Sequence, residues 1–301
     1  MYEEIGQNKR NSIILVVVFA AVLILLGYIF GQVAGFGYFG IVLAFIISTA
    51  MALTGYFRGD KIVLAVSRAK PASREKYPQL YNIVEELIIA SGLPMPKLYI
   101  IHDNDAPNAF ATGRDPDHAS IAVTTALLNR LNRTELQGVL AHELSHIGDY
   151  DILFATLIGI MVGMVALMAD FFLRYTFWGG GRRRSSNNSS SGNGFIMILA
   201  LALAILAPLF ALIIQLAVSR QREYLADANA ALMTRYPEGL ASALEKISRD
   251  PGVLEVSNRA TQHLYIISPI KSIRDRKKKS SLFSTHPPVE DRIKRLREMG
   301  E

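Results

Sequence analysis

The segment Ala141-His-Glu-Leu-Ser-His146 sets two imidazoles four residues apart with a carboxylate between them. On an α-helix this spacing puts His142 and His146 on one face, one turn apart, so both can ligate the same ion. Glu143 is one position beyond the first histidine. Its carboxylate can therefore reach a water held by the ion without ligating the ion itself. Hydrolysis by metal-activated water, with Glu143 as general base, is the chemistry this triplet suits. The chain has no cysteine, which excludes thiolate ligands and disulfides and leaves six histidines and the carboxylates to hold a metal. An open catalytic zinc site needs a third protein ligand. His102, His118, His263, His286 and many acids are formally available. Glu223 in Ser219-Arg-Gln-Arg-Glu-Tyr-Leu-Ala-Asp227 stands out, because Glu223 and Asp227 share a helical face and one can ligate while the other orients a histidine. Spacing alone weighs this equally with an exposed, charged helix start.

The elements that must carry these residues are mostly helical. Thr134-Glu-Leu-Gln137 has the capping-box form, so a helix is expected to start at Thr134 and run through both histidines. Its stripe of Leu136, Val139, Leu140 and Ile147 would face the core and leave the histidines toward a cleft. Before it, Leu80, Ile83, Val84, Leu87 and Ile88 have helical spacing that ends at Gly92-Leu93-Pro94. Lys97 to Ile101 and Ser120 to Thr124 read as short strands. Beyond, a polar helix is expected around Arg222 to Arg235, another near Pro237 to Ser248, and a terminal amphipathic helix from near Pro287. The fold class is α+β, mostly α, with a small β-sheet.

At 50% hydrophobic and 19% charged residues, with mean hydropathy +0.25, the 301-residue chain is too apolar for a wholly soluble protein. The apolar residues gather in long runs. Ile13 to Phe30 and Tyr38 to Phe57 are each long enough to cross a bilayer and are joined by a short uncharged loop, which reads as a retained helical hairpin and not a signal peptide. Two more runs, Ile152 to Leu173 and Phe195 to Val218, flank a Gly/Ser/Asn-rich linker over 175–194. The expected organisation is a transmembrane hairpin over 1–57, a first part of the catalytic domain over 58–151, a second membrane hairpin over 152–218 and a second part over 219–301. About four membrane-embedded helices result. Lys and Arg after Phe57 put the globular parts on the cytoplasmic side of a cell membrane, and the net charge of +6 follows the same bias, so no nucleic-acid partner is expected. Arg182 to Arg184 in the linker run against that bias if the second hairpin crosses completely. No nucleotide-binding loop is present. The basic run Arg274 to Lys279 suits a solvated loop or anionic headgroups.

The His142-Glu-Leu-Ser-His146 triplet, the apolar hairpin after it, Ser219 to Asp227, Pro107-Asn-Ala-Phe-Ala-Thr-Gly113 and Thr285-His-Pro-Pro288 occur in one order along nearly the whole chain. In this the chain resembles the HtpX heat-shock membrane proteases, relatives of the CAAX prenyl endopeptidases. The resemblance implies a zincin-like metalloprotease domain, one zinc ion per chain held by His142, His146 and Glu223, and Asp227 supporting a ligand. It further implies His286 as a donor to the oxyanion, with Arg292 behind it, and Asn108, Ala109, Phe110 and Ala111 as a cleft edge where an extended substrate adds as a strand. The expected activity is endoproteolysis of misfolded membrane proteins or unfolded polypeptides at the bilayer. Prenyl-protein processing and a non-catalytic membrane scaffold are the alternatives. Intact His142, Glu143 and His146 speak against the scaffold.

Overall fold

A computed structural model describes residues 2–33, 37–161, 220–249, 264–266 and 287–300. The second hairpin beyond residue 161, the linker with Arg182 to Arg184, the basic run 274–279, His263 and His286 lie outside the described residues.

Two long apolar helices come first, α1 over Tyr2–Val33 and α2 over Phe39–Val66. Ile5–Leu25 and Phe39–Val66 are long and apolar enough to cross a membrane. Both helices extend past the apolar runs, because charged ends such as Lys9 and Arg58 continue the helix while only the middle needs hydrocarbon. Next come β1 (Lys70–Pro71), α3 (Pro78–Ser91), β2 (Lys97–Ile101), β3 (Ala109–Gly113), β4 (Ala119–Thr124), α4 (Thr125–Arg130) and α5 (Arg133–Gly148). Gly92, at φ 72°, ends α3 in the left-handed region that an L side chain adopts only with strain. The sheet is mixed, in the order β1-β2-β4-β3. β2 and β4 are parallel, whereas β3 is antiparallel to β4, with Ala111 opposite Ile121, and forms an edge. The segment containing Asn108 to Ala111 is thus mostly strand.

The N-cap of α5, Asn132, lies two residues before the expected Thr134. Glu135 completes the capping box by accepting from Asn132 N–H. Two overlapping patterns compete here, and Asn132 prevails because Glu135 also accepts from Ser242 and Lys246 on a distant helix. The expected one-sided stripe is a second difference. α5 is the central helix, buried on nearly every face, and His142 and Glu143 lie in the interior beside Leu136, Val139 and Leu140. Neighbours on all sides explain this: α3, the sheet and the later helices α7 (Arg220–Thr234) and α8 (Pro237–Arg249) all pack on it. Gly138 is essential to that packing, since a methyl there would meet the backbone nitrogen of Leu240 at 2.6 Å.

After α5 the chain turns by 87° into α6, Asp151–Met161. Tyr150, at φ 60°, makes the break, and Lys9 of α1 lies 4.1 Å over its ring. Phe154, Leu157, Ile158 and Met161 of α6 pack on Leu15, Phe19 and Leu23 of α1. On α2, Gly55 and Gly59 let α6 approach closely: a methyl at Gly59 would fall 2.8 Å from Thr156. The membrane-length helices are thereby fastened to the end of α5. α9, Val289–Glu298, packs on α8 and α7 and closes the other side.

Candidate metal centre

His142 and His146 project from α5 so that their Nε2 atoms approach to 3.1 Å. Glu223, in the first turn of α7, faces both, with carboxylate oxygens 3.9 Å from each Nε2. One ligand atom from each of the three residues lies within 4.8 Å of the other two. Zn–N and Zn–O bonds of about 2.0–2.2 Å need tetrahedral donors about 3.3–3.6 Å apart, so small side-chain adjustments close this set around zinc. Two imidazoles and a carboxylate are also the right donors for a catalytic zinc with an open position.

Each imidazole is held from behind by a carboxylate. His142 Nδ1 is 3.0 Å from Asp227 Oδ1, and His146 Nδ1 is 2.7 Å from Asp151 Oδ2. With Nδ1–H given to a carboxylate, each Nε2 lone pair is left to point at the shared position. Asp151 was not singled out in the sequence. Its only signal is that it follows the helix break, and contact with His146 arises because the chain turns by 87° at Tyr150. Asp149, which lies nearer in sequence, accepts from Ser145 and Asn229 instead.

Arg292 is wholly buried and serves the His142 side. Its Nε and Nη2 donate to the two oxygens of Asp227 at 2.8 and 2.7 Å, its Nη1 lies 3.3 Å from Glu223, and the same Nη1 donates to Ile266 C=O at 3.2 Å. Among the described residues Arg292 thus forms a bidentate clamp on Asp227, while His286, which it was expected to support, lies outside them. Burial alone would raise the Asp227 pKa. The Arg292 charge and its hydrogen bonds outweigh that and hold it at about 2. Burial lowers the pKa of His142.

Glu143 is 2% exposed and accepts a hydrogen bond from Ala111 N–H on the outer edge of β3. Burial pushes its pKa up to about 7, against the pull of His146, and Glu223 adds to the rise. The same edge is partly covered by the chain itself. Ile266 N–H donates to Ala109 C=O at 3.1 Å, and the buried Tyr265 ring packs edge-on against Phe110 with centroids 5.1 Å apart. Asn108 Oδ1 accepts from Ala109 N–H. Nothing in the sequence pattern pointed to Tyr265 and Ile266.

A helix that brings two imidazoles and a neighbouring carboxylate to the edge of a small mixed sheet, with a third donor from a later helix, defines a zincin-like metallopeptidase. The comparisons with known proteins give the family. Residues 74–300 match the model of Peptidase family M48. The chain is 45% identical over 300 residues to a protein described as Protease HtpX homolog from Dictyoglomus thermophilum, covering 100% of this chain and 95% of that one. A protein of the same description from Thermoanaerobacter pseudethanolicus is 45% identical over 299 residues, covering 99% and 98%. A crystal structure of S. mikatae Ste24p aligns with a TM-score of 0.49 at 20% identity, over 98% of this chain and 67% of that one. The chain belongs to peptidase family M48 as an HtpX-type membrane zinc metalloprotease, an endopeptidase.

Proposed function

We propose that this protease hydrolyses misfolded or damaged membrane proteins at the cytoplasmic face of a cell membrane, in quality control under stress. The observation that carries the reading is the position of Glu143, between the metal triad and the outer edge of β3, with α6 leading directly from the catalytic helix toward the membrane-length helices. A peptide bond presented along β3 would lie beside the base, and substrates would arrive from the bilayer side. In this reading 1–57 and 152–218 are membrane hairpins and 58–151 with 219–301 is one protease domain in two parts.

His142, His146 and Glu223 would hold one zinc ion per chain, with Asp227 and Asp151 fixing the imidazoles. When bound, zinc supplies Lewis acidity toward the scissile carbonyl and toward water. Glu143 takes a proton from the attacking water and delivers it to the leaving amine. Asn108, Ala109, Phe110 and Ala111 orient the substrate through strand addition, and Ile266 yields its bond to Ala109 C=O as the peptide pairs.

The test uses detergent-purified full chain, a misfolded membrane protein as substrate, and zinc measured beside cleavage. Glu223→Ala loses zinc and activity together. Asp227→Asn and Asp151→Asn keep zinc at saturating metal but bind it roughly 10 to 100-fold more weakly. Stoichiometric zinc with full activity in Glu223→Ala refutes the ligand set. Cleavage of a prenylated peptide but of no unfolded membrane protein refutes the substrate class.

A further inference from the structure

Where α2 leaves its apolar stretch, a pocket of about 200 Å³ opens between α2 and the sheet, away from the metal centre. Tyr56 and Phe57 of α2 line it together with Lys61, Lys97, Arg114 and His118. Its position relative to the bilayer follows from the pattern of exposure on α2. Large apolar side chains are exposed from Phe39 through Val42, Phe45, Ile46 and Leu53 to Tyr56 and Phe57, and charge begins at Arg58. Aromatic residues at the end of such a span sit at headgroup depth.

We infer that this pocket binds the phosphate of an anionic phospholipid, with Lys61, Lys97 and Arg114 as its cationic partners. Three cations line the pocket against one acid, Asp60. Asp115 offsets part of the third: it accepts from Arg114 Nε at 3.3 Å and pairs with His118 Nδ1 at 2.6 Å. Arg114 Nη2 is 2.7 Å from His118 Nε2. This arrangement fixes the guanidinium, which also lies 5.9 and 5.5 Å from the Tyr56 and Phe57 ring centroids. Among the described residues Lys61 and Lys97 form no ion pair, so their charge is available to a ligand. The volume is below the roughly 300–1,000 Å³ of pockets for drug-sized ligands and suits a headgroup. A lipid is favoured over a free anion because the exposed Tyr56 and Phe57 give the acyl end an apolar path beside the cations.

The experiment is native mass spectrometry of the full chain released from nanodiscs of phosphatidylcholine with or without phosphatidylglycerol. The wild-type chain retains phosphatidylglycerol selectively, and millimolar inorganic phosphate does not displace it. Lys61→Gln and Lys97→Gln each weaken retention about fivefold, and the pair about thirtyfold. Lys61→Arg restores it, and Lys70→Gln, outside the pocket, leaves it unchanged. Equal retention by wild type and the double variant overturns the site. Displacement by inorganic phosphate overturns the lipid assignment. Because retention is read without proteolysis, it stands or falls independently of the substrate proposal.

Discussion

Glu135 and Glu143 lie about two turns apart on α5, both nearly inaccessible, at 3% and 2% exposed, and their surroundings make them different groups. Around Glu135 every direction holds a donor: Ser242 Oγ at 2.8 Å, Asn132 N–H at 2.9 Å and Lys246 Nζ at 2.8 Å. Burial would raise its pKa, but these donors together hold it below the ordinary carboxylate range. Glu143 has one backbone donor, Ala111, and faces Glu223 and Asp151, which add to the effect of burial. Burial therefore does not decide whether a carboxylate is a fixed anion or a proton carrier. The donors around it do.

The largest expected effect is on catalysis. Glu143→Gln lowers kcat/KM roughly 10² to 10⁴-fold while zinc stays bound, whereas Glu135→Gln leaves the activity of the folded fraction intact. Loss of zinc in Glu143→Gln, or a dead but folded Glu135→Gln, breaks the contrast. Stability reverses the order. Glu135→Ala removes half of a capping box and strands Lys246 and Ser242, for a loss of about 1–3 kcal/mol in urea unfolding of the detergent-solubilised chain. Glu143→Gln should cost no stability by the same measurement. The smallest effect is in pH dependence. Because the pKa of Glu135 is depressed on folding, its contribution is fully present above the ordinary glutamate value of 4.5 and is lost as pH falls through the lower folded value. Urea midpoints taken from about pH 6 to about pH 3 should fall more steeply for the wild-type chain than for Glu135→Gln. Parallel curves would remove Glu135 from the structural side of the comparison.

The parts legible in sequence were those written within one element. The spacing of His142, Glu143 and His146 specifies their shared helix, and Lys97 to Ile101 carries its strand character in its own composition. Glu223 was weighed evenly by spacing and came forward only through resemblance, because a ligand some eighty residues along leaves no local period. Asp151 was invisible for a geometric reason: it meets His146 through an 87° change of direction that no residue pattern encodes. Arg292 stands out through the resemblance, but its clamp on Asp227 is not legible in the sequence, since nothing short of packed helices brings α9 against Asp227. The capping box was displaced by two residues because the deciding contacts, Ser242 and Lys246, come from α8.

Asp151 is the first residue of α6, and α6 is packed on α1 and α2. The carboxylate that sets the tautomer of one imidazole is thus borne on the same rigid rod that touches the anchoring helices. No cut through the chain separates an anchor from a self-sufficient enzyme. A variant that lacked α6 would keep His142, Glu143, His146 and Glu223 yet lose the carboxylate behind His146, so α6 is a component of the metal centre as much as its mooring.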